Sequence, residues 1–128
     1  MLFACSKSNR AYKKLNGTFQ IVEYRYQSPE GFSYFPTTTG SVFFESHEEA
    51  DNAYSLSISY SHPQINGSQT EAGIYTINDE VTNLMVTPIV NGSKQDVMNH
   101  AIHVLTQNDL KIEYLDSLGA RHFYVFEK

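Results

Sequence analysis

From Tyr54 to Ser61 the chain alternates without a fault, with Tyr54, Leu56, Ile58 and Tyr60 set against Ser55, Ser57, Ser59 and Ser61. A period of two is the pattern of a strand with one face on a core and the other in water. Strand character recurs over 18–26 (TFQIVEYRY), 40–45 (GSVFFE), 72–77 (AGIYTI), 83–90 (NLMVTPIV), 100–107 (HAIHVLTQ), 110–116 (LKIEYLD) and 121–128 (RHFYVFEK), which makes eight strands in all. Pro88 has no N–H for a ladder, so the 83–90 strand is expected at an edge or interrupted. Asn16–Gly17, Asn66–Gly67 and Asn91–Gly92 supply the positive φ angles of tight turns, and 107–109 and 116–119 leave hairpin-length gaps between the last three strands. No long capped stretch has helical period, and the charged segment 45–53 (ESHEEADNA) reads as a solvated loop. Short consecutive strands with no repeat and no linker predict an all-β antiparallel barrel or sandwich.

Composition narrows this only a little. A chain of 128 residues suits one domain with its own core. Nine Tyr and eight Phe, with no Trp, agree with pleated, half-buried surfaces. No apolar run approaches the roughly 20 residues of a membrane-spanning helix. Charge is unevenly placed: Lys7, Arg10, Lys13 and Lys14 lie in a head of 14 residues without an acid, while the remaining five bases and all 14 acids leave the body at −9. An acidic body is a poor match for nucleic acid, whose phosphates reward clustered Lys and Arg. The basic head either rests against an anionic membrane surface or is a solvated terminus.

Cys5 is the lone cysteine, so no intrachain disulfide is possible. Leu2, Phe3, Ala4 and Cys5 resemble a bacterial lipobox, in which the cysteine is lipidated and becomes the mature N-terminus. A signal peptide has an apolar region of about 7–15 residues, whereas only Met1 to Ala4 precede Cys5. The lipoprotein reading therefore takes the chain as a trimmed or late-started form. On that reading 1–14 are a signal-peptide remnant, lipobox and polar tether, and 15–128 are the folded domain.

The segment LNGTFQIVEY (15–24), with Gly17, Thr18 and Phe19, resembles the first strand of small bacterial lipocalin-like domains. The segment 105–128 is similar to that family's last hairpins, ending in a closing aromatic strand and a Lys. The resemblance implies an antiparallel up-and-down eight-stranded lipocalin-like β-barrel, common among lipid-anchored proteins of the bacterial envelope facing the outer membrane or periplasm. It also implies a small apolar or amphipathic ligand in the barrel. Such a barrel either fills itself with side chains or holds one ligand. If it is hollow, Phe19 plugs the closed end, Glu23 and Arg25 approach the open rim, and Tyr54, Leu56, Ile58 and Tyr60 point inward. The other face of the first strand (Gln20, Val22, Tyr24, Tyr26) competes for the interior, and one bulge would exchange the two.

Other chemistry is thinly signalled. His100 and His103 fall on opposite faces of a strand. The segment 45–51 offers Glu45, His47, Glu48, Glu49 and Asp51 without the spacing of a calcium loop. No nucleophile elbow, zinc-protease or phosphate-loop motif occurs, so neither enzyme nor cofactor nor metal site is expected. The sequons at Asn16, Asn66 and Asn91 read as turns in a bacterial protein, and Asp116–Leu118 (DSL) reads as a hairpin turn despite its likeness to an O-glycosylation site. Two functions follow. One is a lipid-anchored binding protein whose loop 30–40 (EGFSYFPTTTG), with Phe32 and Tyr34, closes over the mouth. The other is a packed interaction module that uses that loop to dock on a protein or glycan.

Overall fold

The computed structural model describes residues 7–47 and 50–128. One helix, α1 (Lys7–Leu15), precedes ten strands: β1 (Gly17–Gln27), β2 (Ser33–Tyr34), β3 (Thr37–Glu45), β4 (Asn52–Ser61), β5 (Gly67–Ile77), β6 (Asn83–Val90), β7 (Ser93–Lys94), β8 (Met98–Leu105), β9 (Asp109–Leu115) and β10 (Arg121–Glu127). Eight of them, all but the two-residue β2 and β7, form the wall of a closed antiparallel barrel in chain order. Pairing of β10 with β1, from Gln20↔Glu127 to Gln27↔Arg121, closes it and leaves no sheet edge at the seam.

Strand alternation builds the core. Tyr54 and Ile58 are buried, Leu56 and Tyr60 are half-buried on the same face, and the serines between them face out. In β1 the alternation shifts between Ile21 and Glu23, where the extra residue Val22 forms a bulge. Phe19 and Ile21 point inward before it, and Tyr24 and Tyr26 do so after it. Glu23 and Arg25 are thereby sent outside, which corrects their expected place at the rim. Arg25 instead lays its guanidinium 3.8 Å from the centre of its cross-strand partner Phe123 on the outer face.

The end of the barrel beneath α1 is packed solid. Phe19 meets Phe44 edge-on at 6.2 Å, and Phe44 meets Tyr75 at 5.2 Å, above buried Leu84, Leu110 and Phe126. Residues 7–14, expected as part of a tether, fold with Leu15 into a helix closing this end. Ala11 and Leu15, one turn apart, are buried against it. Tyr12 adds a polar tie, its hydroxyl accepting from Ile77 N–H at 2.9 Å. Nine residues are too few to hold a helix alone, so the docked stripe and not intrinsic propensity sustains it. Lys128 caps its C-terminal end by donating to the carbonyls of Lys14 and Asn16 (2.9 and 2.8 Å), with its ammonium 4.9 Å from the Phe19 ring centre. Gly17–Phe19 and the terminal Lys, which carry the sequence resemblance from opposite ends of the chain, thus meet in space.

The wall parts on one side. Pairing of β5 with β6 begins at Gly73↔Pro88, so Gly67–Ala72 have a ladder partner only on the β4 side. Beyond Pro88 the chain leaves the barrel, and Ile89 and Val90 pair with Lys94 and Ser93 in a separate ribbon turned by Asn91–Gly92, both at positive φ. The expected interruption at Pro88 is therefore found. Gly40 and Gly73 sit where neighbouring strands press close: a Cβ at Gly40 would lie 2.1 Å from the Ser57 carbonyl oxygen, and one at Gly73 would lie 2.0 Å from that of Thr87.

Candidate functional site

Inside the upper half of the barrel lies a chamber of about 40 Å³, floored by Phe44, Leu84 and Phe126 and walled by Val42, Tyr54, Leu56, Val86, Met98 and Ile112. Four further lining residues bring polar groups into this apolar space: Gln69, Glu71, His100 and Tyr124. They come from three elements. Gln69 and Glu71 share the inward face of β5 with Tyr75 and Ile77, in the stretch that lacks an outer partner. His100 enters from β8 and Tyr124 from β10.

The polar groups are paired with one another. Tyr54 Oη donates to Glu71 Oε1 at 3.0 Å, and Tyr124 Oη donates to Gln69 Oε1 at 3.1 Å. Among the described residues no partner is found for Glu71 Oε2 or Gln69 Nε2, so one acceptor and one donor remain for another molecule. Burial pushes the Glu71 carboxyl above its ordinary range, against the smaller lowering effect of the Tyr54 hydrogen bond. Burial likewise drives the His100 imidazole down to about 4, so it is neutral at ordinary pH; its Nδ1 lies 3.2 Å from the Met98 carbonyl oxygen. Burial, with the adjacent Glu71 charge, raises the Tyr54 hydroxyl, and burial raises that of Tyr124, so both stay protonated.

Above the chamber an aromatic cluster lines the mouth. Tyr24 lies 5.0 Å from Tyr60 and 5.2 Å from Tyr124, and Tyr34 stacks on Tyr26 at 6.3 Å and meets His62 edge-on at 5.4 Å. Tyr24 Oη is 2.7 Å from His122 Nδ1, and His122 Nε2 is 2.8 Å from Asp116 Oδ2. Desolvation, the largest single effect on Asp116, raises its carboxyl, but the hydrogen bonds from His122 and from the amides of Ala120 and Leu118 together outweigh it and hold the carboxyl below the usual range. With Asp116 ionised, His122 Nε2 is the donor to it, and Nδ1 shares a hydrogen bond with the Tyr24 hydroxyl. The chain ties the β9–β10 turn to the mouth.

A second concavity, of about 490 Å³, runs along the outside of β3, β4 and β5 beneath the β6–β7 ribbon, between Phe43, Ser55, Ser57, Ala72 and Val90. Leu56 and Glu71 line both this groove and the chamber, and so stand between the two.

No family model and no curated protein sequence matches the chain. Solved structures do. A redesigned β-barrel, mFAP1, determined bound to DFHBI, superposes with a TM-score of 0.62 over 93% of this chain and 99% of its own at 15% identity. Another redesigned barrel, b11L5F_LGL, gives 0.58 over 96% and 97% at 12% identity. The related mFAP0, also bound to DFHBI, gives 0.55 over 90% and 99% at 14% identity. The fold is a small closed β-barrel. At these identities the likeness concerns the fold alone.

Of the residues expected at a site, Tyr54 and Leu56 line the chamber. Ile58 and Tyr60 face the interior without lining it, and Phe19 plugs the closed end. Tyr34 stands at the mouth. Phe32 and Phe35 are 64% and 58% exposed, neither lines the chamber, and Phe35 lies 6.0 Å from the Arg25 guanidinium on the outer face. Glu23 and Arg25 are outside the barrel, and Cys5 lies outside the described residues. His100 and His103 do fall on opposite faces: His100 is inside, and His103 is outside with Glu113 at 2.9 Å. Sequence reasoning missed Gln69, Glu71, Met98 and Tyr124 as site residues and weighed His100 only as a metal ligand. The signal for the first two was their parity with Tyr75 and Ile77, hidden because 67–71 contain no apolar residue.

Proposed function

We propose that this chain is a lipocalin-like binding protein that holds a small apolar or amphipathic molecule in the upper barrel and performs no covalent chemistry. The observation that carries the reading is the convergence of Glu71, Gln69, His100 and Tyr124 on an apolar chamber beside a break in the wall. A barrel selected only to pack would have no use for a carboxylate there, because burying one costs stability. An apolar space with a few converging polar groups is the usual form of a small-molecule site. The mFAP1 and mFAP0 barrels, which share this architecture, hold the organic ligand DFHBI. The chamber itself takes only a small group, so the larger part of a ligand would occupy the mouth or the outer groove, with half-buried Leu56 and Met98 turning aside.

Titration with an environment-sensitive apolar dye tests this. Saturable one-to-one binding is expected, weakened about tenfold or more by Val86→Phe, which fills the chamber, and unchanged by Phe32→Ala. Absence of saturable binding by the folded protein would overturn the reading.

The same proposal places the protein on a bacterial envelope membrane, anchored by lipid at Cys5. Supporting it, α1 carries Lys7, Arg10, Lys13 and Lys14 and no acid, so the barrel's closed end would meet an anionic surface while the acidic body stays clear. Intact mass of protein from its native membrane checks the anchor: a diacyl or triacyl adduct on Cys5 is expected, and an unmodified thiol would contradict it.

A further inference from the structure

The chamber's charge restricts what can enter it. Glu71 is the sole charged side chain among its lining residues. Among the described residues no Lys or Arg lines it, buried His100 stays neutral, and the Tyr54 and Tyr124 hydroxyls keep their protons. A ligand carboxylate would therefore find no cation and would face Glu71 across a space of low dielectric, a like-charge contact that is unfavourable for both. A cation there meets the opposite situation. It supplies the partner whose absence makes a buried carboxylate costly, and Glu71 Oε2 is available because Tyr54 occupies Oε1. The aromatic side chains of Phe44, Tyr54 and Tyr124 line the same space.

We infer that the ligand's polar end is cationic, an amine carried on a hydrocarbon or aromatic body, with Glu71 as its counter-ion. This rests on the binding reading above and names its ligand class. Size agrees with the assignment. The chamber, at about 40 Å³, suits a head group, and the groove of about 490 Å³ is large enough for the body. Glu71 and Leu56 line both spaces, so the residue that carries the carboxylate borders the chamber and the groove alike. Phe43 and Val90, both exposed, would then be the apolar surface against which the tail lies.

The test is a pair of fluorescent probes sharing one dansyl group and one undecyl chain, one ending in an ammonium and the other in a carboxylate, titrated near pH 7.5. The ammonium probe is expected to bind about tenfold or more tightly than the carboxylate probe, a difference of about 1.4 kcal/mol. In Glu71→Gln, which keeps an acceptor for Tyr54, the two affinities should come within about threefold of each other; in Glu71→Asp the preference should survive in part. Circular dichroism confirms that each variant is folded. Equal or tighter binding of the carboxylate probe, or a preference untouched by Glu71→Gln, would overturn the inference while leaving the binding reading standing. Failure of both probes to bind the folded natural chain would overturn the binding reading, and this inference with it.

Discussion

Buried polar side chains decide how this barrel responds to pH and to substitution. His100 is the clearest case. An unfolded imidazole takes up its proton below the ordinary value of 6.5, whereas the folded one resists until about 4 because burial disfavours the cation. Between these values the unfolded state binds more protons, so stability is fully present above 6.5 and is lost as pH falls toward 4. The shift corresponds to about 3 kcal/mol at its limit. Denaturant titrations of His100→Gln from pH 7 to pH 4 should show a flatter decline than those of the natural chain; parallel curves would remove His100 from the acid response. Glu71 works in the opposite sense: its raised pKa means that stability is lost as pH rises above the ordinary carboxyl range. Glu71→Gln should therefore raise the melting temperature of the ligand-free protein by a few degrees near neutral pH, as expected of a group kept for binding. Tyr75 makes a third case. Among the described residues its buried hydroxyl has no hydrogen-bond partner, so Tyr75→Phe should be neutral or stabilising by about 1 kcal/mol, and a loss of that size in urea unfolding would show that the hydroxyl is bonded.

At the scale of elements, α1 and the β5–β6 junction carry the features that alternation alone does not predict. Leu15→Ala removes the most buried residue of the helix from the closed end and should cost about 2–4 kcal/mol, read as a shift in the urea midpoint with an unchanged slope. Gly73→Ala forces a methyl group against the Thr87 carbonyl and should destabilise strongly, while Gly92→Ala, with open space around it, should cost only the positive-φ penalty of about 1–2 kcal/mol. The eight wall strands were legible because their apolar positions repeat every second residue, most plainly from Tyr54 to Tyr60. The helix was not, since Ala11, Tyr12 and Leu15 form a stripe only when a barrel end is there to receive it. The inside face of β1 was ambiguous for a local reason. Both of its faces carry apolar residues, and only the bulge at Val22, fixed by pairing with β10, hands the interior from Phe19 and Ile21 to Tyr24 and Tyr26. The chamber escaped because Gln69 and Glu71 look like loop residues until β4 pairs with them.

For the whole molecule, closure explains how 128 residues support both a solid end and an incomplete one. Packing beneath α1 supplies the stability; the parted wall between β5 and β6 gives up ladder bonds and leaves Glu71 between an interior chamber and an outer groove. Stability and binding are thus concentrated at opposite ends, and substitutions in the closed end should alter unfolding far more than affinity. The measurement that tests this most directly is an NMR titration of the isotopically labelled chain with the dansyl-undecyl ammonium probe. Saturable shifts are expected, concentrated on Gln69, Glu71, Met98 and His100, with little change at Phe32, Phe35 or α1. Shifts confined to the 30–36 loop, or no saturable shifts at all, would contradict it.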